Sequence, residues 1–178
     1  MLCAAGDLIG GAENTGSSYA ILRLAPVYSA SFRLNLDRRV YIRPKIGLRV
    51  LGSKYELSIC SVHNIVHFVT RWLEQSTPMS GAFNVADSES YDIDYVLQQE
   101  RAAGRCRFVV HVPSTLCMTG LAVLETGQVA AGRQPGVLST GNLRKLLRSA
   151  KWDSQRAVQA VGSLPFTLGN TPGIWSSE

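Results

Sequence analysis

His63 and His67 stand four residues apart, the spacing that brings two imidazoles to one face of a helix where they could grip a metal ion. His111 is the only other histidine and lies far along the chain, with no third ligand near the pair, so a structural role is the better reading. Ser61 and His63 could be imagined as a nucleophile and its base, but no G-x-S-x-G elbow surrounds Ser61. Asp92 and Asp94 form a carboxylate pair two apart at a helix start. Their side chains diverge there, and the positive end of the helix dipole accounts for both. Asp87 and Glu89 belong to the turn before them. Gly6, Gly10, Gly11 and Gly16 do not spell the glycine pattern that cradles a pyrophosphate, no strand precedes them, and no Walker A sequence is present. The expectation is a chain with no catalytic residue and no metal ligand of its own.

The charges offer a different chemistry. Across 178 residues the net charge is +5, and the excess is uneven. Arg33, Arg38, Arg39, Arg43, Lys45, Arg49 and Lys54 face almost no acid beyond Asp37. Such a stretch suits an anionic partner, a phosphate-bearing small molecule or a nucleic acid, and its plain alternative is a solvated basic face. Trp72, Trp152 and Trp175 sit in separate segments, and Trp72 borders an apolar helical stripe, so core packing explains it. Cys3, Cys60, Cys106 and Cys117 form no C-x-x-C pair, which argues against a disulfide framework and for a reducing cytoplasm. The N-terminus lacks the features of a signal peptide. The longest uncharged run, from Phe108 to Leu124, is broken by His111 and Pro113 and falls short of a membrane span.

The elements that would position these groups alternate short apolar runs with amphipathic segments, the pattern of α/β construction. Tyr19 to Leu24 reads as a buried strand ending at Ala25-Pro26. Tyr55 to Ser61 reads as a second strand running into a helix whose apolar side is Val62, Ile65, Val66, Val69 and Leu73, with Ser61 or Asn64 as N-cap. Gly81 to Val85 is a third strand. A helix from about Asp92 to Ala103 follows, capped by the Ser88-Glu89-Ser90 segment and stopped by Gly104. Arg107 to Val112 is a fourth strand, Ser114 to Glu125 a helix, and a loop runs on to Gly136. Asn142 to Ser149 and Asp153 to Val161 are short helices, the second capped by Asp153. Gly162 to Glu178 reads as irregular, and Ala4 to Ile9 as the end of a helix.

Taken in order, these segments resemble the extended short-chain dehydrogenases/reductases, the NAD-dependent epimerase/dehydratase family acting mainly on nucleotide sugars. Ile21-Leu-Arg-Leu-Ala-Pro-Val-Tyr28 is similar to the strand and turn after that family's catalytic helix. Leu57 to Ile65 is similar to its strand running into a helix, Gly81 to Val85 to its Asn-Val strand, and Ser90-Tyr-Asp-Ile93 to the serine-capped helix that follows. Lys151-Trp-Asp-Ser-Gln-Arg-Ala157, followed by Val161-Gly162 and Pro165, is similar to its late Asp-x-x-Lys-Ala segment. The family's glycine-rich loop has no counterpart, and its catalytic Tyr-x-x-x-Lys has none where the resemblance would put it, ahead of the Ile21–Leu24 strand. Tyr19 and Arg23 have the spacing but fall on the strand, with arginine for lysine. Leu24 replaces a usual proline, Ser29 a usual glycine, His63-Asn64 common acids, and Leu57 falls near a usual substrate-clamping arginine.

The resemblance implies an α/β fold, a partial doubly wound (Rossmann-like) sheet with a small C-terminal α/β substrate-binding region and without the N-terminal Rossmann half. It implies one domain over residues 1–178, with 1–17 a remnant of the helix after the catalytic motif, 18–166 the family-like region and 167–178 an irregular tail. Leu24, Ala25 and Val27 would approach the nicotinamide of NAD(P), which this chain would not bind alone. Arg33, Arg38, Arg39 and Arg49 would line the side of a nucleotide-sugar-like small molecule. The chain would be cytoplasmic, away from membranes, truncated in its chemistry, and a homodimer through the exposed sheet edge of the Ile21–Leu24 strand. The alternative is a small basic module that docks an anion such as nucleic acid, the less favoured partner.

Overall fold

A computed structural model describes residues 17–52, 55–130 and 151–176. In chain order the elements are β1 (Ala20–Leu24), β2 (Val27–Tyr28), α1 (Leu34–Val40), β3 (Tyr41–Arg43), β4 (Ile46–Leu51), β5 (Glu56–Leu57), β6 (Cys60–Ser61), α2 (Val62–Leu73), β7 (Gly81–Val85), β8 (Tyr91–Asp92), α3 (Ile93–Ala102), β9 (Phe108–Pro113), α4 (Ser114–Ala130) and α5 (Gln155–Val161). The expected helices at Ala4 to Ile9 and Asn142 to Ser149 fall outside the described residues; the helix expected to end at Glu125 runs on to Ala130, and the rest of the expected loop to Gly136 lies outside them too. No helix among the described residues is long and apolar enough to cross a membrane.

The chain divides into two compact units, one drawn from 1–29, 59–89 and 152–171, the other from 30–58, 90–151 and 172–178. In the first, β1 pairs in parallel with β7, from Ala20 opposite Gly81 to Leu24 opposite Val85. Beyond them β2 pairs in parallel with β6. Parallel partners need long connections, and α2 carries the chain from β6, the partner of β2, to β7, the partner of β1. The core gathers Ala25, Cys60, Phe68, Phe83, Val85, Ala157, Ala160 and Leu164, with Phe68 and Phe83 rings 5.2 Å apart. Ser61 caps α2, its hydroxyl accepting from His63 N at 3.3 Å. Asn64, the other cap candidate, is instead fully buried.

In the second unit β4 is central. It pairs antiparallel with β3 and in parallel with β9, from Ile46 opposite Phe108 to Leu51 opposite Pro113. Gly47 of β4 is where α3 meets the sheet. A Cβ there would lie 2.6 Å from Leu97 Cδ2 and 3.1 Å from Cys106 Sγ, so only glycine admits this approach. The helix α3 begins at Asp92, whose carboxylate accepts from Asp94 N at 2.9 Å, and not at the expected Ser88-Glu89-Ser90 cap. Ser90 spends its hydroxyl on Glu56.

The single strand expected from Tyr55 to Ser61 is divided in the structure. Leu57 and Glu56 pair antiparallel with β8, whereas Cys60 and Ser61 pair in parallel with β2. Alternation alone does not report a change of partner. The elements α1, β3 and β4 were not foreseen, because the basic side chains between Arg33 and Lys54 hid the Ile46, Leu48, Val50 alternation.

Pro44 and Lys45 form the tight connection between β3 and β4. Lys45 has φ +67°, the left-handed region that costs a residue with a Cβ roughly 1 kcal/mol. Lys45→Gly is therefore expected to raise stability by up to about 1 kcal/mol in urea unfolding, less the extra entropy glycine gives the unfolded chain.

Candidate functional site

The second unit holds a cavity of about 760 Å³, lined by Ala30, Ser31, Arg33, Asp37, Tyr41, Pro44, Lys45, Gly104, Arg105, Gly173, Ile174 and Ser176. Three of these lining residues, Arg33, Tyr41 and Arg105, converge on the buried Glu100. Ile93, Val96, Leu97 and Glu100 fall on one face of α3, at helical spacing, and all four are buried. A carboxylate on that stripe must find cations. Glu100 Oε1 accepts from Arg33 Nη2, while Oε2 accepts from Tyr41 OH at 2.6 Å and from Arg105 Nε at 3.1 Å.

The two guanidiniums then reach the 172–176 segment. Arg33 Nη1 donates to Ile174 O at 2.9 Å. Arg105 donates to Ile174 O at 2.8 Å and to Ser176 O at 3.1 Å. Both lie over the Trp175 ring, 5.8 Å and 5.5 Å from its centroid. The clamp thus fixes backbone that itself lines the cavity. Burial raises the Tyr41 phenol above its ordinary pKa, and its hydrogen bond to Glu100 adds to the effect. Burial also raises the Asp37 carboxyl, against the opposing pull of Arg33.

The four arginines expected to face substrate separate here. Arg33 belongs to the clamp. Arg49 forms a two-pronged pair with Asp94, with Nη2 to Oδ2 at 2.9 Å, and that hydrogen bond raises its pKa. Arg38 is exposed on α1. Arg39 is half-buried, and burial lowers its pKa while Tyr55 acts the other way. Glu100, Arg105 and Tyr41 were missed. The signal for Glu100 was present, since it continues the Ile93, Val96, Leu97 stripe.

In the first unit, Leu24 ends β1 with its side chain exposed, Ala25 is buried and donates its N–H to Val85 O at 3.0 Å, and Val27 is half-buried in β2. Nearby lies a buried polar network. Asp87 Oδ1 accepts from Ser61 N at 2.7 Å and Asn64 Nδ2 at 2.9 Å, and Oδ2 from Tyr28 OH at 2.7 Å. Asn64 also grips the Phe166 backbone, accepting from its N–H at 2.9 Å and donating to its carbonyl at 2.6 Å. The His63 ring packs on Phe166 at 5.2 Å, and His67 Nε2 is buried without a partner. Among the described residues no group of three or more His, Cys, Asp and Glu could hold a metal ion.

Cys60 and Cys106 are buried, and burial pushes the Cys60 thiol up to about 12. Cys117 is half-buried, its pKa raised by burial. Only the thiolate reacts, so iodoacetamide at about pH 8 is expected to modify Cys117 well before Cys60 in the folded protein, as read by peptide mass spectrometry.

No protein-family profile matches the sequence, and no curated protein is significantly similar to it. Solved structures do match. The terminal R domain of the myxalamid PKS-NRPS biosynthetic pathway superposes with a TM-score of 0.59 at 15% identity, over 96% of this chain and 46% of that one. The fold is Rossmann-like, of the epimerase type. UDP-glucose 4-epimerase from Thermotoga maritima, solved with UDP-glucose, gives 0.52 at 15% identity, over 94% of this chain and 47% of that one. A human epimerase family protein, solved with NADPH, gives 0.52 at 20% identity over 88% and 48%. The chain thus spans about half the length of the epimerase-type structures it matches.

Proposed function

We propose that this chain is the substrate-side half of an NAD(P)-dependent enzyme of the nucleotide-sugar epimerase/dehydratase type, incapable of hydride chemistry by itself. The observation that carries the reading is the half-length match to epimerase-type folds, which agrees with the ordered run of family-like segments between Ile21 and Pro165. Leu24, Ala25 and Val27 bring apolar side chains, and the Ala25 amide is spent on Val85. They could touch a nicotinamide ring, but they offer nothing to a pyrophosphate. The chain's one Tyr-x-x-x-Lys, Tyr41 to Lys45, spans β3 and the turn after it instead of one helix face, and the Tyr41 hydroxyl is committed to Glu100, so it does not supply the phenolate base that such chemistry needs. The basic unit with Arg38, Arg39 and Lys45 is the part suited to an anionic, nucleotide-sugar-like substrate. Free Cys60, Cys106 and Cys117 agree with a reducing cytoplasm. Ile21 and Leu24 are exposed on β1, and a homodimer across that strand would cover them.

A ligand raises the melting temperature only if the folded state binds it. Thermal melts are expected to show no shift with NAD or NADPH and a saturable rise with UDP-glucose. A saturable rise with NAD would overturn the claim of incompleteness, and indifference to UDP-glucose would overturn the substrate-side role.

A further inference from the structure

The cavity of the second unit can be read from the groups its walls leave open. Arg33 and Arg105 hold Glu100 and the carbonyls of Ile174 and Ser176, and their flat faces lie over Trp175. The Tyr41 hydroxyl is committed to Glu100 as well. These groups build the wall and leave it positively biased, three cations (Arg33, Lys45 and Arg105) against two carboxylates (Asp37 and Glu100). The charges with room for a ligand are the exposed Lys45 ammonium and the Asp37 carboxylate, which is ion-paired with Arg33 Nε at 3.7 Å but is 45% exposed and makes no hydrogen bond there.

An ammonium only donates and a carboxylate only accepts, so a ligand that satisfies both brings acceptors, best of all an anion, at one end and donors such as hydroxyls at the other. The volume of about 760 Å³ is that of a small-molecule site. Lys45 adds a second observation. It occupies the second place of the Pro44-Lys45 turn with φ +67°, where glycine or asparagine would fit at lower cost. A strained residue that lines a cavity is the pattern expected where its side chain is used.

We propose that this cavity binds a phosphorylated polyol, with Lys45 taking the phosphate and Asp37 the hydroxyls. The proposal goes beyond the nucleotide-sugar reading and does not depend on it. Calorimetric titration with glucose 1-phosphate, glucose and inorganic phosphate tests it on the full chain. Saturable binding of glucose 1-phosphate, tighter than either glucose or phosphate alone, is expected. Lys45→Gly should weaken it about tenfold while the melting temperature does not fall, because the same change relieves the turn. Asp37→Ala should weaken glucose 1-phosphate but leave inorganic phosphate unchanged. The proposal is overturned if glucose 1-phosphate fails to bind at millimolar concentration, binds no better than phosphate, or binds Lys45→Gly as well as the parent. A saturable thermal response to UDP-glucose without binding of glucose 1-phosphate would overturn this proposal and spare the substrate-side role.

Discussion

Glu100→Ala is expected to destabilise the unit that contains it by about 3 kcal/mol, the low end of what removing one partner of a buried ion pair costs. The carboxylate is fully buried, and its loss strands two guanidiniums and the Tyr41 hydroxyl together. The low end applies because the Arg105 side chain is 26% exposed, so solvent screens part of its charge. Arg33 is more enclosed at 14% and carries the larger share. Urea unfolding gives the size of the loss. Hydrogen exchange gives its place, with faster exchange expected in α1, β3 and α3.

A control separates charge from packing. Replacing the whole cluster together, with Arg33→Met, Glu100→Leu and Arg105→Met, should recover much of the lost stability, since buried ion triads are often no better than apolar side chains of equal volume. If Glu100→Ala is neutral, the clamp is not what holds the 172–176 segment. Tyr41 adds a pH dependence to the same cluster. Its folded pKa is raised, so its contribution is complete below the ordinary phenol range and is lost as pH climbs through the folded value. Tyr41→Phe should flatten alkaline unfolding, not acid unfolding.

How much of this could be read from the chain differs between the units. Where apolar periodicity was clean, the elements came out near their observed limits. The Tyr19 to Leu24 run became β1, Gly81 to Val85 became β7, and the Asp92 to Ala103 helix became α3. The basic stretch was legible as charge and illegible as structure. Arg49 and Ile46 alternate on β4 as they should, but counting cations drew attention from the period of two. Charge counting also treated the arginines as equivalent. Arg33 faces inward because Glu100, 67 residues later, stands on the buried stripe of α3, and that pairing is set by packing rather than spacing. Arg105 needed the irregular tail for its partners, Ile174 and Ser176. The tail lacks periodicity, yet Leu164, Leu168 and Ile174 are buried. Asp87 was read as a turn residue, because the donors that fill its lone pairs come from three places at once.

Those three donors make Asp87→Ala the second large effect, about 3 to 5 kcal/mol, the lower part of the range that about 1 to 3 kcal/mol for each buried donor gives, since Tyr28 has Thr171 within reach. Asn64 is held in place by Phe166, so it does not relax freely. Tyr28 is different. Its hydroxyl lies 3.2 Å from Thr171 Oγ1, which is itself bonded to Ser61 Oγ at 3.0 Å and Thr167 O at 2.8 Å. In Asp87→Asn the amide oxygen can keep Ser61 N and Asn64, while the new NH2 faces Tyr28. The phenol can then accept from that amide and donate to Thr171 instead, so the network re-forms with its donors reversed. Asp87→Asn should cost only about 1 kcal/mol, one ordinary hydrogen bond. In the background of Tyr28→Phe the asparagine loses this partner, and the two changes together should cost more than their sum. Equal losses for Asp87→Asn and Asp87→Ala, measured by urea unfolding, would mean that charge rather than the number of acceptors holds β6, α2 and the Phe166 segment together.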